Sequence, residues 1–181
     1  MKKFFSVGPV LIITAAVLWA FDGVLRRSLY SLPPITIVFL EHLFGTIFLL
    51  PVLVKNRKQF RILSQKNWIL LLWIAFFSSV LGTLWFTTAL VQVQFISFSV
   101  VFLLQKLQPV FVIATTALFL KEKVTKRYLV WATAAILAAY FVTFPNGVVN
   151  FATGSGTVTA ALYALGAAFA WGTSTVFSKM A

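Results

Sequence analysis

The chain has 181 residues, of which 61% are hydrophobic and only 10% are charged. A soluble domain of this length needs more polar residues to cover its surface, so the composition excludes a water-soluble protein and indicates one that is surrounded by lipid. The formal net charge of +12 comes from Lys and Arg residues between long apolar stretches, not along one face of a soluble domain, which argues against nucleic-acid binding.

Six stretches are long and apolar enough to cross a bilayer, which takes about 20 residues of α-helix. The first follows Lys2 and Lys3 and has no small-x-small cleavage pattern around Ala20, so we interpret it as a spanning helix and not as a signal peptide. Short connections with Pro, Gly or charged residues separate the stretches. The predicted fold class is therefore all-α, a polytopic transmembrane bundle with spans at about 8–30, 33–54, 67–90, 97–120, 127–145 and 157–179.

The distribution of cations predicts how the bundle is oriented, because positively charged loops stay in the cytoplasm. Arg26 and Arg27 are the only cations in the connections on the side opposite the N-terminus. The N-terminus is therefore predicted to be cytoplasmic, in a plasma or inner membrane. Eleven cations lie on the side of the N-terminus: Lys2, Lys3, Lys55, Arg57, Lys58, Arg61, Lys66, Lys121, Lys123, Lys126 and Arg127.

An internal similarity links the first and the sixth span. The segment AAVLWAFDGVLRRSL from Ala15 aligns without gaps with AAFAWGTSTVFSKMA from Ala167, which pairs Trp19 with Trp171 at an offset of 152 residues. Chance similarity between two Ala-rich helices is the alternative interpretation. Because the two copies are the first and the sixth span, an offset of five helices, they run in opposite directions, as in transporters built from inverted repeats.

Three segments resemble the EamA-domain family of the drug/metabolite transporter superfamily. They are AAVLWAFDG in the first span, the pair Pro33-Pro34 before the second, and QKLQPVFVIATTALFLKEKVT, which includes Glu122, at the fourth. The resemblance implies a carrier of two inverted five-helix repeats around a central cavity. Residues 8–145 would form the first repeat and residues 157–181 the first helix of a second, incomplete one. A longer reading frame, a second copy in a homodimer or a partner chain would complete the second repeat.

Ionisable residues inside a span cost on the order of 2.5–3.5 kcal/mol, so each one needs a reason. Asp22, Glu41 and Lys106 are predicted to lie about 10–14 Å below the outer ends of spans one, two and four. At this common depth they can neutralise one another beside a polar cavity. Pro109 has no N–H for the carbonyl of Gln105, which adds an unpaired acceptor near Lys106.

The resulting hypothesis is a substrate site. Gln105 and Lys106 would contact an anionic or zwitterionic substrate, Asp22 or Glu41 would bind its amine or a coupling proton, and Trp19 and Trp171 would form the walls. The family has an arginine early in the second span of many members, where this chain has Glu41-His42, so the substrate class stays open.

Structural alternatives exist for several of these residues. Asp22 and Arg26 are four residues apart and can simply pair on one helix. Glu41 and His42 point about 100° apart, so only one easily faces a cavity, and Glu41 is our choice. Glu122 lies among lysines, where a loop ion pair or helix cap is the simpler interpretation. Small residues in the sixth span permit close helix packing: Ala164, Gly166, Ala168, Ala170 and Gly172.

The sequence as a whole predicts a membrane transporter of small molecules such as metabolites, amino acids or drugs, with no cofactor, no metal site and no catalytic residues. The absence of Cys and the single His42 exclude thiolate and multi-histidine metal sites. Two other functions are considered. A membrane-embedded enzyme would use Asp22, Glu41 and His42 as acid or base, but lacks a dense polar constellation. A non-transporting accessory subunit would agree with the short chain.

Overall fold

A computed structural model describes residues 7–92, 97–143, 146–148 and 156–181. Within these ranges the chain is α-helical and has no strand, which confirms the predicted fold class. A single helical turn, Arg57–Phe60, lies between the second and third long helices. The long helices are α1 (Val7–Ser28), α2 (Pro34–Lys55), α3 (Gln65–Val91), α4 (Phe98–Leu120), α5 (Lys126–Thr143) and α6 (Gly156–Met180).

Five of these helices, α1, α2, α3, α4 and α6, are long and apolar enough to cross a membrane. Many of their large apolar side chains are exposed, as expected for surfaces that face lipid. The predicted span at 127–145 is helical as α5, whose 18 residues extend over about 27 Å. Residues 144 and 145 of that span lie outside the described residues. The arrangement is that of a multi-pass membrane protein.

Residues at the helix starts explain where the helices begin. Pro34 occupies the first turn of α2, where its missing N–H leaves no hydrogen bond unmade. The Ser64 hydroxyl accepts a hydrogen bond from the Asn67 N–H at 3.2 Å, which caps α3. In the same way, the Ser97 hydroxyl accepts from the Val100 N–H at 3.3 Å and caps α4.

Neither α3 nor α4 is regular along its whole length. The middle of α3 is a π-helical segment, Ala75–Gly82, and α4 ends in another one, Thr116–Leu120. Between Gln105 and Gln108, α4 is interrupted, one turn before Pro109, which has no N–H to donate to the Gln105 carbonyl oxygen. The break lies where the proline in the sequence predicts an irregular backbone.

The sixth helix lies at the centre of the described structure and packs along α3 and α4. Its small residues make this contact, and Ala164, Ala168 and Ala170 are completely buried. A Cβ on Gly172 would lie 2.8 Å from the Phe111 Cβ and 3.0 Å from the Gln108 carbonyl oxygen. The predicted close packing of this stripe is therefore confirmed. Helices α1 and α2 pack against the end of α3, Thr83–Val91.

Replacing Gly172 by Ala is expected to destabilise the protein by about 1–3 kcal/mol, because the added methyl overlaps a neighbouring helix near its backbone. Thermal unfolding in detergent measures the effect. Gly45→Ala is the matched control, since a Cβ at that position in α2 meets no atom within 4 Å and the change favours helix. Equal melting temperatures for the two variants would contradict the proposed packing.

Candidate functional site

The guanidinium of Arg26 joins three helices. Its Nε and Nη2 donate to the two carboxylate oxygens of Asp22, one turn earlier in α1, at 3.2 and 2.9 Å. Its Nη1 donates to Glu41 Oε2 on α2 at 3.0 Å and to Thr87 Oγ1 on α3 at 2.8 Å. Arg26 is only 6% exposed, so these bonds replace nearly all of its hydration.

Each partner reaches Arg26 for a local reason. Asp22 lies four residues before Arg26, on the same face of α1. Glu41 lies two turns into α2, which begins after the connection at residues 29–33 and, like α1, packs against the end of α3. The Thr87 hydroxyl donates to the Thr83 carbonyl in its own helix at 2.7 Å, which leaves its oxygen lone pairs to accept from Arg26.

This cluster has two carboxylates for one guanidinium, hence a formal charge of −1 when both are ionised. Four of the five guanidinium N–H donors are used within the protein. Few donors remain for an anionic ligand, whereas the carboxylates retain free lone pairs. The cluster is therefore suited to accept hydrogen bonds from a neutral or cationic ligand.

The two tryptophans that the sequence alignment pairs meet beside this cluster. The rings of Trp19 and Trp171 are in edge-to-face contact, with centroids 6.4 Å apart. Trp171 also lies 5.2 Å from the ring of Phe86. Its Nε1–H donates to the Ser78 carbonyl oxygen at 3.1 Å, inside the π-helical segment of α3. The irregular backbone of α3 thus provides the acceptor that holds the indole in place.

Two cavities adjoin this tryptophan pair. The charged cavity, of about 250 Å³, is lined by Trp19, Asp22, Arg26, Glu41, Thr83, Phe86 and Trp171. The hydroxyl cavity, of about 290 Å³, is lined by Trp19, Ile74, Ser78, Gln108, Trp171, Ser174, Thr175 and Ser178. Both tryptophans line both cavities, so the two cavities adjoin at this pair.

Four of the six predicted site residues lie together in the charged cavity: Trp19, Asp22, Glu41 and Trp171. The structure does not bring Gln105 and Lys106 to its lining. Gln105 is buried within the bundle, and Lys106 is exposed at the break in α4. The cation that pairs with both carboxylates is Arg26, which the sequence indicated only as a helical neighbour of Asp22. A substrate-binding role for any of the six stays a prediction.

The remaining ionisable candidates have structural partners. His42 Nδ1 lies 2.8 Å from the Val38 carbonyl oxygen in its own helix. Glu122 forms an ion pair with Lys179, near the end of α6, at 2.6 Å. This pair agrees with the structural interpretation of Glu122, although its partner is Lys179 and not a neighbouring lysine. Among the described residues, no group of three or more His, Asp or Glu side chains could hold a metal ion.

Comparison with known proteins supplies the family. The model of the EamA-like transporter family matches residues 6–144. A protein of Fusobacterium nucleatum described as riboflavin transporter ImpX is 38% identical over 174 residues, which cover 95% of this chain and 58% of the relative. The chain thus spans little more than half the length of that relative. No solved structure matches it at a significant level. Both matches are to transporters, which favours transport over the enzyme alternative.

Proposed function

This chain belongs to the EamA-like transporter family, and from that premise we propose that it carries riboflavin or a similar flavin across the cell membrane. In this proposal residues 8–145 form the first five-helix repeat and residues 157–181 begin the second. The remaining helices come from a longer reading frame, a second copy of the chain or a partner chain. The observation that carries the proposal is the 38% identity to a riboflavin transporter over nearly all of this chain.

The chemistry of the charged cavity agrees with a flavin substrate. Riboflavin is an uncharged molecule at neutral pH, with a planar three-ring isoalloxazine, an imide N–H and a polyol chain. Trp19, Phe86 and Trp171 offer aromatic faces and edges for such a ring. The carboxylates of Asp22 and Glu41 can accept a hydrogen bond from the imide. Aromatic walls with a few placed polar groups are typical of small-molecule sites.

Orientation follows from the excess of cations on one side of the bundle. We place the N-terminus in the cytoplasm, since the loops that follow α2 and α4 are strongly basic. The charged cavity then opens toward the outside, where α1 ends and α2 begins. The Glu122–Lys179 ion pair then lies at the cytoplasmic end of α4 and α6. Rocking of the two repeats about the tryptophan pair would expose the site to each side in turn.

The test is uptake of radiolabelled riboflavin by a riboflavin-requiring bacterium that lacks its own uptake system. The chain is expressed in its natural reading frame, beside an empty vector. We expect saturable uptake that unlabelled riboflavin inhibits. Flavin mononucleotide should compete poorly, because its phosphate adds about 1.5–2 negative charges for which neither cavity offers a free cation: the hydroxyl cavity has none in its described lining, and Arg26 of the charged cavity is already paired with two carboxylates.

Two outcomes would count against this proposal. No uptake above the empty vector, with the protein present in the membrane, would contradict riboflavin as the substrate. Competition by flavin mononucleotide as strong as that by riboflavin would contradict a site that has no free cation for a phosphate. Western blotting of membrane fractions verifies that the protein is present in each case.

A further inference from the structure

The two cavities are related by the same offset as the sequence repeat. Trp19, Asp22 and Arg26 of α1 line the charged cavity. Adding 152 to each number gives Trp171, Ser174 and Ser178 of α6, which line the hydroxyl cavity. The same positions of the two aligned helices thus face the two sides of the tryptophan pair, with charged residues on one side and hydroxyls on the other.

The hydroxyl groups that line the hydroxyl cavity differ in how many hydrogen bonds they already make. Thr175 Oγ1 donates to the Trp171 carbonyl oxygen at 2.8 Å, and Ser178 Oγ donates to the Ser174 carbonyl oxygen at 2.9 Å. Their lone pairs remain available to accept. In the described part of the chain, the Ser174 hydroxyl has no hydrogen-bond partner, although Ser174 is only 2% exposed. A buried hydroxyl in this state is unfavourable unless a ligand or a water completes its bonds.

The lining excludes charged ligands. No Lys, Arg, Asp or Glu is among the described residues that line the hydroxyl cavity, which lacks a counter-ion for a phosphate or an ammonium. The hydroxyl groups of serine and threonine, together with Gln108, place hydrogen-bond donors and acceptors next to one another along the cavity wall. A ligand group that both donates and accepts repeatedly along its length fits this lining, and a neutral polyol is such a group.

We propose that the hydroxyl cavity binds the polyol chain of the transported substrate, with the buried Ser174 hydroxyl as its central contact. This inference rests on the proposed function, since the polyol is then the ribityl chain of riboflavin and the isoalloxazine ring lies at the tryptophan pair. The volumes of the charged cavity and the hydroxyl cavity agree with one binding site that spans both. Volumes of about 250 and 290 Å³ each fall just short of the ~300 Å³ at which small-molecule sites begin, whereas the two cavities together lie within that range.

The experiment compares two flavins that differ only in this chain. Lumiflavin has the isoalloxazine ring of riboflavin with a methyl group in place of the ribityl chain. Both are titrated by flavin fluorescence into the purified protein, expressed in its natural reading frame, and into Ser174→Ala. We expect the substitution to weaken riboflavin binding roughly three- to tenfold, as for the loss of one hydrogen bond, and to leave lumiflavin binding unchanged.

Thr173→Val is the matched control, because it removes a buried hydroxyl from the adjacent position of α6 that does not line the cavity. It should not change the ratio of the two affinities. Thr175→Val is a second test variant, which removes an acceptor from the cavity and should also weaken riboflavin selectively. Thr175→Val replaces Ser174→Ala in the comparison if the melting temperature shows that Ser174→Ala is unfolded.

The outcomes separate this inference from the proposed function. The inference would be overturned if the cavity substitutions weakened the binding of riboflavin and lumiflavin equally, or changed neither affinity. Either result would leave riboflavin as the substrate. Failure of the unsubstituted protein to bind either flavin would overturn both. Selective loss of riboflavin binding in Ser174→Ala, with Thr173→Val unchanged, would support the polyol subsite.

Discussion

Arg26→Ala is expected to abolish transport and to lower the free energy of unfolding by about 1.5–3 kcal/mol, the usual effect of losing hydrogen bonds to a charged group, because Arg26 is buried but Asp22 and Glu41 are 37% and 44% exposed. The substitution leaves Asp22 and Glu41 without a counter-ion at membrane depth. It also removes the group that joins α1, α2 and α3. Riboflavin uptake and thermal unfolding in detergent measure the two effects.

Two further variants separate the role of charge from the role of geometry. Arg26→Lys retains the charge, but an ammonium group cannot donate two parallel hydrogen bonds to Asp22 as the planar guanidinium does. We therefore expect a stability between those of the unsubstituted protein and Arg26→Ala, and little transport. The triple variant Asp22→Asn, Arg26→Gln, Glu41→Gln removes all three charges at similar volume. It should recover stability without transport, because no buried charge is left unpaired.

Lys106→Ala tests whether Arg26 or Lys106 is the cation on which the two carboxylates depend. Lys106 is exposed at the break in α4 and forms no ion pair with Asp22 or Glu41. Its removal should therefore affect stability far less than removal of Arg26. Equal loss of transport and stability in the two variants would contradict the central position that we assign to Arg26.

Trp171→Ala is the second substitution with a large expected effect. It removes the ring that lines both cavities and contacts Trp19 and Phe86, so uptake should be lost and the protein destabilised by about 3–5 kcal/mol. Trp131→Ala is the matched control, since Trp131 is 66% exposed on α5. Uptake and melting temperature similar to those of the control would contradict the position of Trp171 in the site.

The indole N–H of Trp171 can be tested apart from its ring. Trp171→Phe retains an aromatic wall but loses the hydrogen bond to the Ser78 carbonyl oxygen. We expect intermediate uptake with a raised KM, because the ring remains but is less firmly oriented. Gly82→Ala displaces the intact indole, since its Cβ would lie 2.7 Å from Trp171 Nε1. A similar change in KM for both variants would support the role of indole position.

Local rules were sufficient to predict the helices and several contacts of the site. Hydrophobic length alone indicated the spans, because a helix in lipid must satisfy its own backbone and cover it with apolar side chains. The spacing of Asp22 and Arg26 on one helix indicated their pairing as an alternative to a substrate role for Asp22, and the structure contains this ion pair. The aligned positions of Trp19 and Trp171 indicated a shared role, and the structure places their rings in contact.

What the sequence by itself determined about this protein is therefore its helical class and the position of each ionisable residue along its helix, since that position follows from counting residues at about 1.5 Å each. Only the tertiary structure decided which cation meets the two carboxylates. The break before Pro109 and the packing of α4 leave Lys106 exposed, whereas α1, α2 and α3 converge on Arg26. Rotation of a helix about its axis depends on all its neighbours, and no local pattern encodes it.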